Sequence, residues 1–211
     1  MSGELALAIV ELDRDKALDL TKSRSKKGES PLQILDECRQ GMVTVGERFQ
    51  KGEYFLAELM LSAEIFKGVT AILEPQLAKV RPPKPLGKMV LATLQGDIHD
   101  LGKNLFAALV KAQGIEVHDL GVDVAPALVL EKVKEVKPDF VGFSALITSV
   151  FASMKEASEM LEEAGLRKQF KLMVGGGIVT PMVKDYIRAD FQTRDAMEGV
   201  AYCMKSIGGK Q

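Results

Sequence analysis

The 211-residue chain has no tryptophan, and it contains only two histidines and two cysteines. Cys38 and Cys203 lie far apart in sequence and match neither a zinc-binding nor a CxxC redox spacing. Two reduced thiols packed in a core are therefore expected. With so little histidine and no usable cysteine nearby, an ordinary zinc centre would be short of ligands. An excess of either charge is also missing: 28 Lys and Arg stand against 29 Asp and Glu, for a net charge of -1. Such a balance gives no strongly basic face for nucleic acid. No apolar run reaches membrane-spanning length, and the opening "MSGELALAIVELDRDK" is acidic by Glu4, unlike a secretory signal. A cytoplasmic protein with no membrane and no nucleic-acid partner is expected.

What is present is enough for a sizeable core. Apolar residues make up 46%, and the length suits one large domain or two small ones. The first 78 residues carry helical periodicity. Leu35, Cys38, Met42, Val45 and Phe49 form one stripe, and Phe55, Leu59, Ala63, Phe66, Val69 and Leu73 form another. Ser30 and Pro31 suit a helix start. Leu5 to Leu12 and Arg14 to Lys26 read as two shorter helices hinged near Asp13, with Gly28 ending the second. Four helices with short connections make a small bundle over residues 1–78. "KVRPPKPLG", residues 79–87, then breaks the helical pattern with clustered prolines and reads as a stiff linker.

From residue 88 the period changes. "KMVLATL", "IEVHDLG", "FVGFSAL", "KLMVGGG" and the weaker "ADF" (189–191) are strand candidates. Helical stretches alternate with them, one with Thr180 as cap and Pro181 in its first turn, and Asp195 opens the last. Alternation of this kind argues for a five-stranded parallel sheet covered on both faces over residues 88–211. Ligands of such folds sit beyond the carboxyl ends of the strands. Three loops there are chemically distinctive. The first holds Gly96, Asp97, Ile98, His99, Asp100, Leu101 and Gly102; the second holds Ser144, Leu146 and Thr148; the third holds Gly175, Gly176 and Gly177.

His99 admits several readings. A Ser-His-Asp hydrolase would need a nucleophile, but no Gly-x-Ser-x-Gly elbow occurs. A phosphate-binding loop is a poor fit, because two acids stand where phosphate would sit. His118, the other histidine, falls on a strand and reads as structural. A metal already held in an organic macrocycle fits better, since it needs only one protein ligand. Asp97 can then take the other ring N–H, with Ser144 hydrogen-bonded to Asp97 in turn. The glycines would leave bare backbone for a bulky ligand.

Together, Asp97-x-His99-x-x-Gly102, Ser144-x-Leu146 and the later Gly175-Gly176 resemble the cobalamin-binding domain. With the helices in front, nearly the whole chain resembles the corrinoid proteins of methyltransferase systems, which are similar to the cobalamin module of methionine synthase. The resemblance implies a helical bundle cap followed by a Rossmann-like, flavodoxin-like domain binding cobalamin with its nucleotide base off cobalt and His99 as the cobalt axial ligand. Gly96, Asp97, Ile98, His99, Asp100, Gly102, Ser144, Leu146, Thr148 and Gly175 to Gly177 are implied cofactor contacts, the last four beside the nucleotide tail. Met42, Val45, Gly46 and Phe49 would line the cap. The family's tyrosine after the fifth strand is replaced by Gln192.

The implied role is that of a methyl carrier, not catalytic alone. It would pass a methyl group from a substrate:corrinoid methyltransferase to a methylcorrinoid:tetrahydrofolate or thiol methyltransferase, with a reductive activator as a third partner. Donors implied are aryl methyl ethers, as in O-demethylase systems, methanol, methylamines or betaine. A mutase small subunit or a cobalamin-dependent sensor shares the binding domain. The first would lack this bundle, and the second would normally bring a further signalling segment.

Overall fold

A computed structural model of the chain describes residues 3–77 and 84–208. The chain divides into two compact units, with the division falling between Lys84 and Pro85. Most of the expected linker, residues 79–83, lies outside the described residues, and its last residue, Gly87, already opens a strand.

The first unit is four helices: α1 (Glu4–Val10), α2 (Arg14–Lys26), α3 (Pro31–Gln50) and α4 (Leu56–Leu77). The break between α1 and α2 has a local cause. Leu12 takes a left-handed φ of +61°, and the Asp13 carboxylate caps α2 by accepting the Lys16 N–H at 3.0 Å. Ser30 sits at the cap position of α3 but makes no side-chain cap bond, so Pro31 alone supplies that start signal. The α3 stripe is core: Leu35, Cys38, Met42 and Val45 are buried. Gly41 lets α1 come close, since a Cβ there would lie 2.8 Å from the Ala6 carbonyl oxygen. The α4 stripe holds from Leu59 to Leu73, but Phe55 lies before the helix and is 70% exposed.

The second unit alternates strand and helix throughout. Its elements are β1 (Gly87–Thr93), α5 (Leu101–Ala112), β2 (Ile115–Asp119), α6 (Pro126–Val136), β3 (Phe140–Ser144), α7 (Val150–Glu163), β4 (Lys171–Gly175), α8 (Pro181–Ile187), β5 (Phe191–Thr193) and α9 (Ala196–Gly208). The sheet order is β2-β1-β3-β4-β5 and all pairings are parallel. The central strands are buried along almost their whole length, as expected of strands covered on both faces. Val90, Ala92, Val141, Phe143, Leu172 and Val174 pack with α6, α7 and α8 in one apolar cluster. On the other face α5 meets α9, where a Cβ on Gly199 would press into Phe106.

The fifth strand runs over Phe191–Thr193, two residues beyond the expected stretch. The cause lies in Asp190, whose carboxylate accepts the Leu172 N–H at 2.7 Å and pairs with Arg167 at 2.9 Å. The Asp190 N–H donates to the Leu172 carbonyl at 2.8 Å while its side chain takes the Leu172 N–H, and the regular β5 ladder starts one residue later at Phe191, opposite Met173. Gln192 is half-buried opposite Val174, and the aromatic here is Phe191, stacked on Tyr202 at 4.2 Å.

Candidate functional site

Strand β1 stops at Thr93 because the chain turns outward through Gly96, which has a φ of +97° that side-chain-bearing residues rarely adopt. The turn folds Asp97 back into the sheet end, leaving it 1% exposed. A carboxylate so buried must be fully hydrogen-bonded. Its Oδ1 accepts the His99 N–H at 3.0 Å and lies 2.6 Å from His99 Nδ1; its Oδ2 accepts the Leu146 N–H at 2.8 Å. Burial pushes the Asp97 carboxyl up, but the bonds from Leu146, the His99 backbone and the His99 ring outweigh it and hold Asp97 below the ordinary carboxylate value. An ionised Asp97 can only accept, which places the ring proton of His99 on Nδ1 and leaves the Nε2 lone pair free.

The His99 side chain is 49% exposed. Ile98, Leu146, Ile147 and Val122, from the loops after β1, β3 and β2, and Leu101, the first residue of α5, are likewise exposed apolar residues. One oriented imidazole among exposed apolar side chains suits a broad, flat, largely apolar ligand. Among the described residues no group of three or more His, Cys, Asp and Glu side chains could hold a metal ion. The donor set therefore fits a metal that brings its own ring and takes one protein nitrogen.

Ser144 ends β3 beside Thr93 and Gly175, half-buried, but its hydroxyl is not among the partners of Asp97. The Oδ2 partner is instead the Leu146 backbone N–H. Gly96, Asp100, Gly102 and Thr148 are exposed, and Asp100 sits at the cap position of α5, where it accepts from Asn104 rather than from a helix amide. The three glycines differ from one another. A Cβ on Gly176 would lie 2.1 Å from the Ala145 carbonyl oxygen, one on Gly177 would lie 3.2 Å from Leu146 Cδ1, and one on Gly175 would meet nothing closer than 3.7 Å. Gly176 is needed by the fold, while Gly175 and Gly177 leave room at the surface.

The residues expected to line the cap lie on α3. Met42, Val45 and Gly46 are buried in the bundle core, and Phe49 is half-buried. Their helix stripe packs inward, and the exposed aromatic of this unit is Phe55, next to the exposed Leu56.

Several residues that hold the site were given no role from the sequence. Thr93 is buried, and its hydroxyl donates to the His99 carbonyl at 3.1 Å. A polar residue closing an otherwise apolar strand was the available signal. Lys103 is buried and pairs with the Asp119 carboxylate at 2.6 Å, tying α5 to β2. Asp123 touches the Gly96–Asp97 backbone from the β2–α6 loop. His118 lies on edge strand β2, its Nε2 2.8 Å from Glu116 Oε1.

Comparison with known proteins covers both units. Residues 87–201 match the family model described as a B12 binding domain, and residues 2–74 match a second model of the same description. A corrinoid protein of Desulfitobacterium hafniense is 38% identical, covering 97% of this chain and 96% of its own. Dimethylamine corrinoid protein 2 of Methanosarcina acetivorans is 35% identical, with 98% and 96% covered. Among solved structures, the methanol:cobalamin methyltransferase complex MtaBC from Methanosarcina barkeri aligns with a TM-score of 0.83 at 29% identity, over 97% of this chain and 78% of that one. Among the described residues, no helix is long and apolar enough to cross a membrane.

Proposed function

The chain belongs to the corrinoid proteins with B12-binding domains found in methylamine and methanol methyltransferase systems, and from that footing we propose that it carries a methyl group on cobalamin held by His99. The observation that carries the proposal is the His99–Asp97 pair, with Nδ1 at 2.6 Å from a buried carboxylate and Nε2 free on the exposed side. When bound, the corrin supplies a cobalt that accepts and donates methyl groups, so the difficult chemistry belongs to the cofactor.

The chain's own residues bind and orient. Asp97 fixes the tautomer and ring direction of His99. The amide of Leu146 fixes Asp97, and Thr93 anchors the loop through the His99 carbonyl. Ile98, Leu101, Leu146 and Ile147 would form the apolar bed of the ring. The open backbone at Gly175 and Gly177 would pass the displaced nucleotide tail, next to Ser144 and Thr148. In the bundle, Leu7, Val43, Phe55, Leu56 and Leu61 are exposed apolar side chains available to cover a ligand.

The methyl donor would be a methylated amine or methanol presented by a partner methyltransferase, and the acceptor tetrahydrofolate or a thiol on a second partner, with a reductive activator restoring the carrier. The names of the dimethylamine and methanol relatives support the donor class. Matches over both units favour a carrier over a mutase small subunit, which would lack the bundle.

The test is the full chain reconstituted with cobalamin and examined in the cobalt(II) state by electron paramagnetic resonance. Wild type should show the hyperfine splitting of one protein nitrogen on cobalt, and His99→Ala should lose it. Identical spectra would overturn the assignment.

A further inference from the structure

We propose that Asp123 is a positioning residue for His99: from the β2–α6 loop it clamps the backbone on both sides of the Gly96–Asp97 turn and so sets the direction in which the imidazole is offered. The proposal rests on His99 being the cobalt ligand.

Two hydrogen bonds run in opposite senses between the loops. The Gly96 N–H donates to Asp123 Oδ1 at 2.9 Å, and the Asp123 N–H donates to the Asp97 carbonyl oxygen at 3.1 Å. The bonds grip the peptide planes that flank Gly96 and Asp97, residues on which the aim of the buried carboxylate depends. Gly96 is the residue with most freedom to turn, and its φ of +97° is one of many it could take. Within the β1–α5 loop the Asp97 N–H also donates to the Leu94 carbonyl, at 3.2 Å, and the His99 N–H to the Asp97 carboxylate, at 3.0 Å, but neither reaches the Gly96 N–H. The clamp thus removes freedom where it would be most damaging.

Asp123 is itself held in place. It adopts a left-handed φ of +53°, which aspartate tolerates better than most residues. Its neighbour Val124 extends the sheet register as a parallel bridge to Leu94, with Gln95 N–H donating to the Val124 carbonyl at 2.8 Å and Val124 N–H to the Thr93 carbonyl at 3.1 Å. Upstream, Gly121 N–H donates to the Asp119 carboxylate at 2.9 Å, and that carboxylate is fixed by the buried Lys103. A fixed reference therefore runs from the α5–β2 ion pair through Gly121 and Asp123 to the turn that bears Asp97.

The test compares Asp123→Ala, Asp123→Gly and Asp123→Asn in the full-length chain, by two readouts. The first is the fraction of cobalt(II)-cobalamin carrying a protein nitrogen, from electron paramagnetic resonance at a temperature where every variant is folded. The second is the hydrogen-exchange rate of the Gly96 amide in the chain without cobalamin. The Ala and Gly variants should lower the ratio of ligated to unligated cobalt about tenfold, the low end of what losing an outer partner of a metal ligand does. They should also speed exchange at Gly96. The Asn variant keeps an acceptor oxygen and tolerates the left-handed backbone, so it should stay within about twofold of wild type on both readouts.

A Gly variant that matches wild type would reduce Asp123 to a backbone preference and overturn the proposal. An Asn variant as weak as Ala would assign the effect to charge and overturn it too. If wild type itself shows no protein nitrogen, the His99 reading has failed, and Gly96 exchange then decides the clamp alone: unchanged exchange in the Ala variant overturns it.

Discussion

Replacing Gly176 by alanine tests how the end of β4 supports a histidine that it does not touch. A Cβ at this position would lie 2.1 Å from the Ala145 carbonyl oxygen, more than 1 Å inside ordinary contact of about 3.5 Å. Backbone atoms cannot rotate away as a side-chain tip can. Gly176 also has a φ of +118°, a conformation costing about 1–3 kcal/mol for a residue with a side chain. The Ala145 carbonyl shares its peptide plane with the Leu146 N–H that donates to Asp97. Displacing the carbonyl tilts that donor off a buried carboxylate, which costs a further ~1.5–3 kcal/mol. The sum is about 4 kcal/mol, and at ~2–4 °C per kcal/mol for a chain of this size melting should fall by about 10 °C. Gly175→Ala and Gly177→Ala meet only a 3.7 Å contact and a movable leucine methyl, and should shift melting by no more than about 2 °C. The assay is thermal unfolding of the three variants followed by circular dichroism. If Gly176→Ala melts with wild type, or Gly175→Ala is equally damaged, the argument from backbone proximity fails.

Acid stability should depend on Asp97. Its carboxyl is held below the ordinary value in the fold, so its contribution is complete above about pH 4, the unfolded value, and is lost as pH falls through the folded one. The stability gap between wild type and Asp97→Asn, from urea midpoints between pH 6 and 3, should narrow toward pH 3; a constant gap would contradict this. The Lys103–Asp119 pair should be asymmetric. Asp119→Ala leaves an ammonium that is 2% exposed with only the Asn104 side-chain oxygen, at 3.0 Å, and should cost about 3 kcal/mol, whereas Lys103→Met leaves a carboxylate that is 26% exposed and still bonded to Gly121, and should cost less. Equal losses in urea unfolding would refute that reading.

The order and type of the elements were legible in the sequence because parallel strands buried on both faces read as short apolar runs, and because Gly and Pro punctuate the helices between them. Asp97 and His99 were legible through scarcity and spacing. What escaped has a common physical origin. Asp97 is completed by the Leu146 amide, a backbone donor that every residue except proline possesses, so no residue type marks it. Asp123 and Lys103 act across 27 and 16 residues of sequence, on partners that only the sheet order brings together. The helix stripe in α3 announced a buried face without saying what it buries. Met42 and Val45 turned inward, and Phe55, expected as the first residue of the α4 stripe, lies before the helix and is exposed.

The parallel order of the sheet also has a consequence for when the site can exist. All of Asp97-x-His99-x-x-Gly102 lies within the first strand–helix unit, yet the amide that completes Asp97 comes 49 residues later, from the end of β3. β3 pairs with β1 only after the crossover through α5, β2 and α6 has closed. A chain emerging in order, or one cut after Asp119, would carry the whole motif without an oriented imidazole. Contacts of such long sequence separation form late in folding, when the loop-closure entropy has been offset. An oriented His99 imidazole is in this sense a report that the centre of the sheet has been assembled.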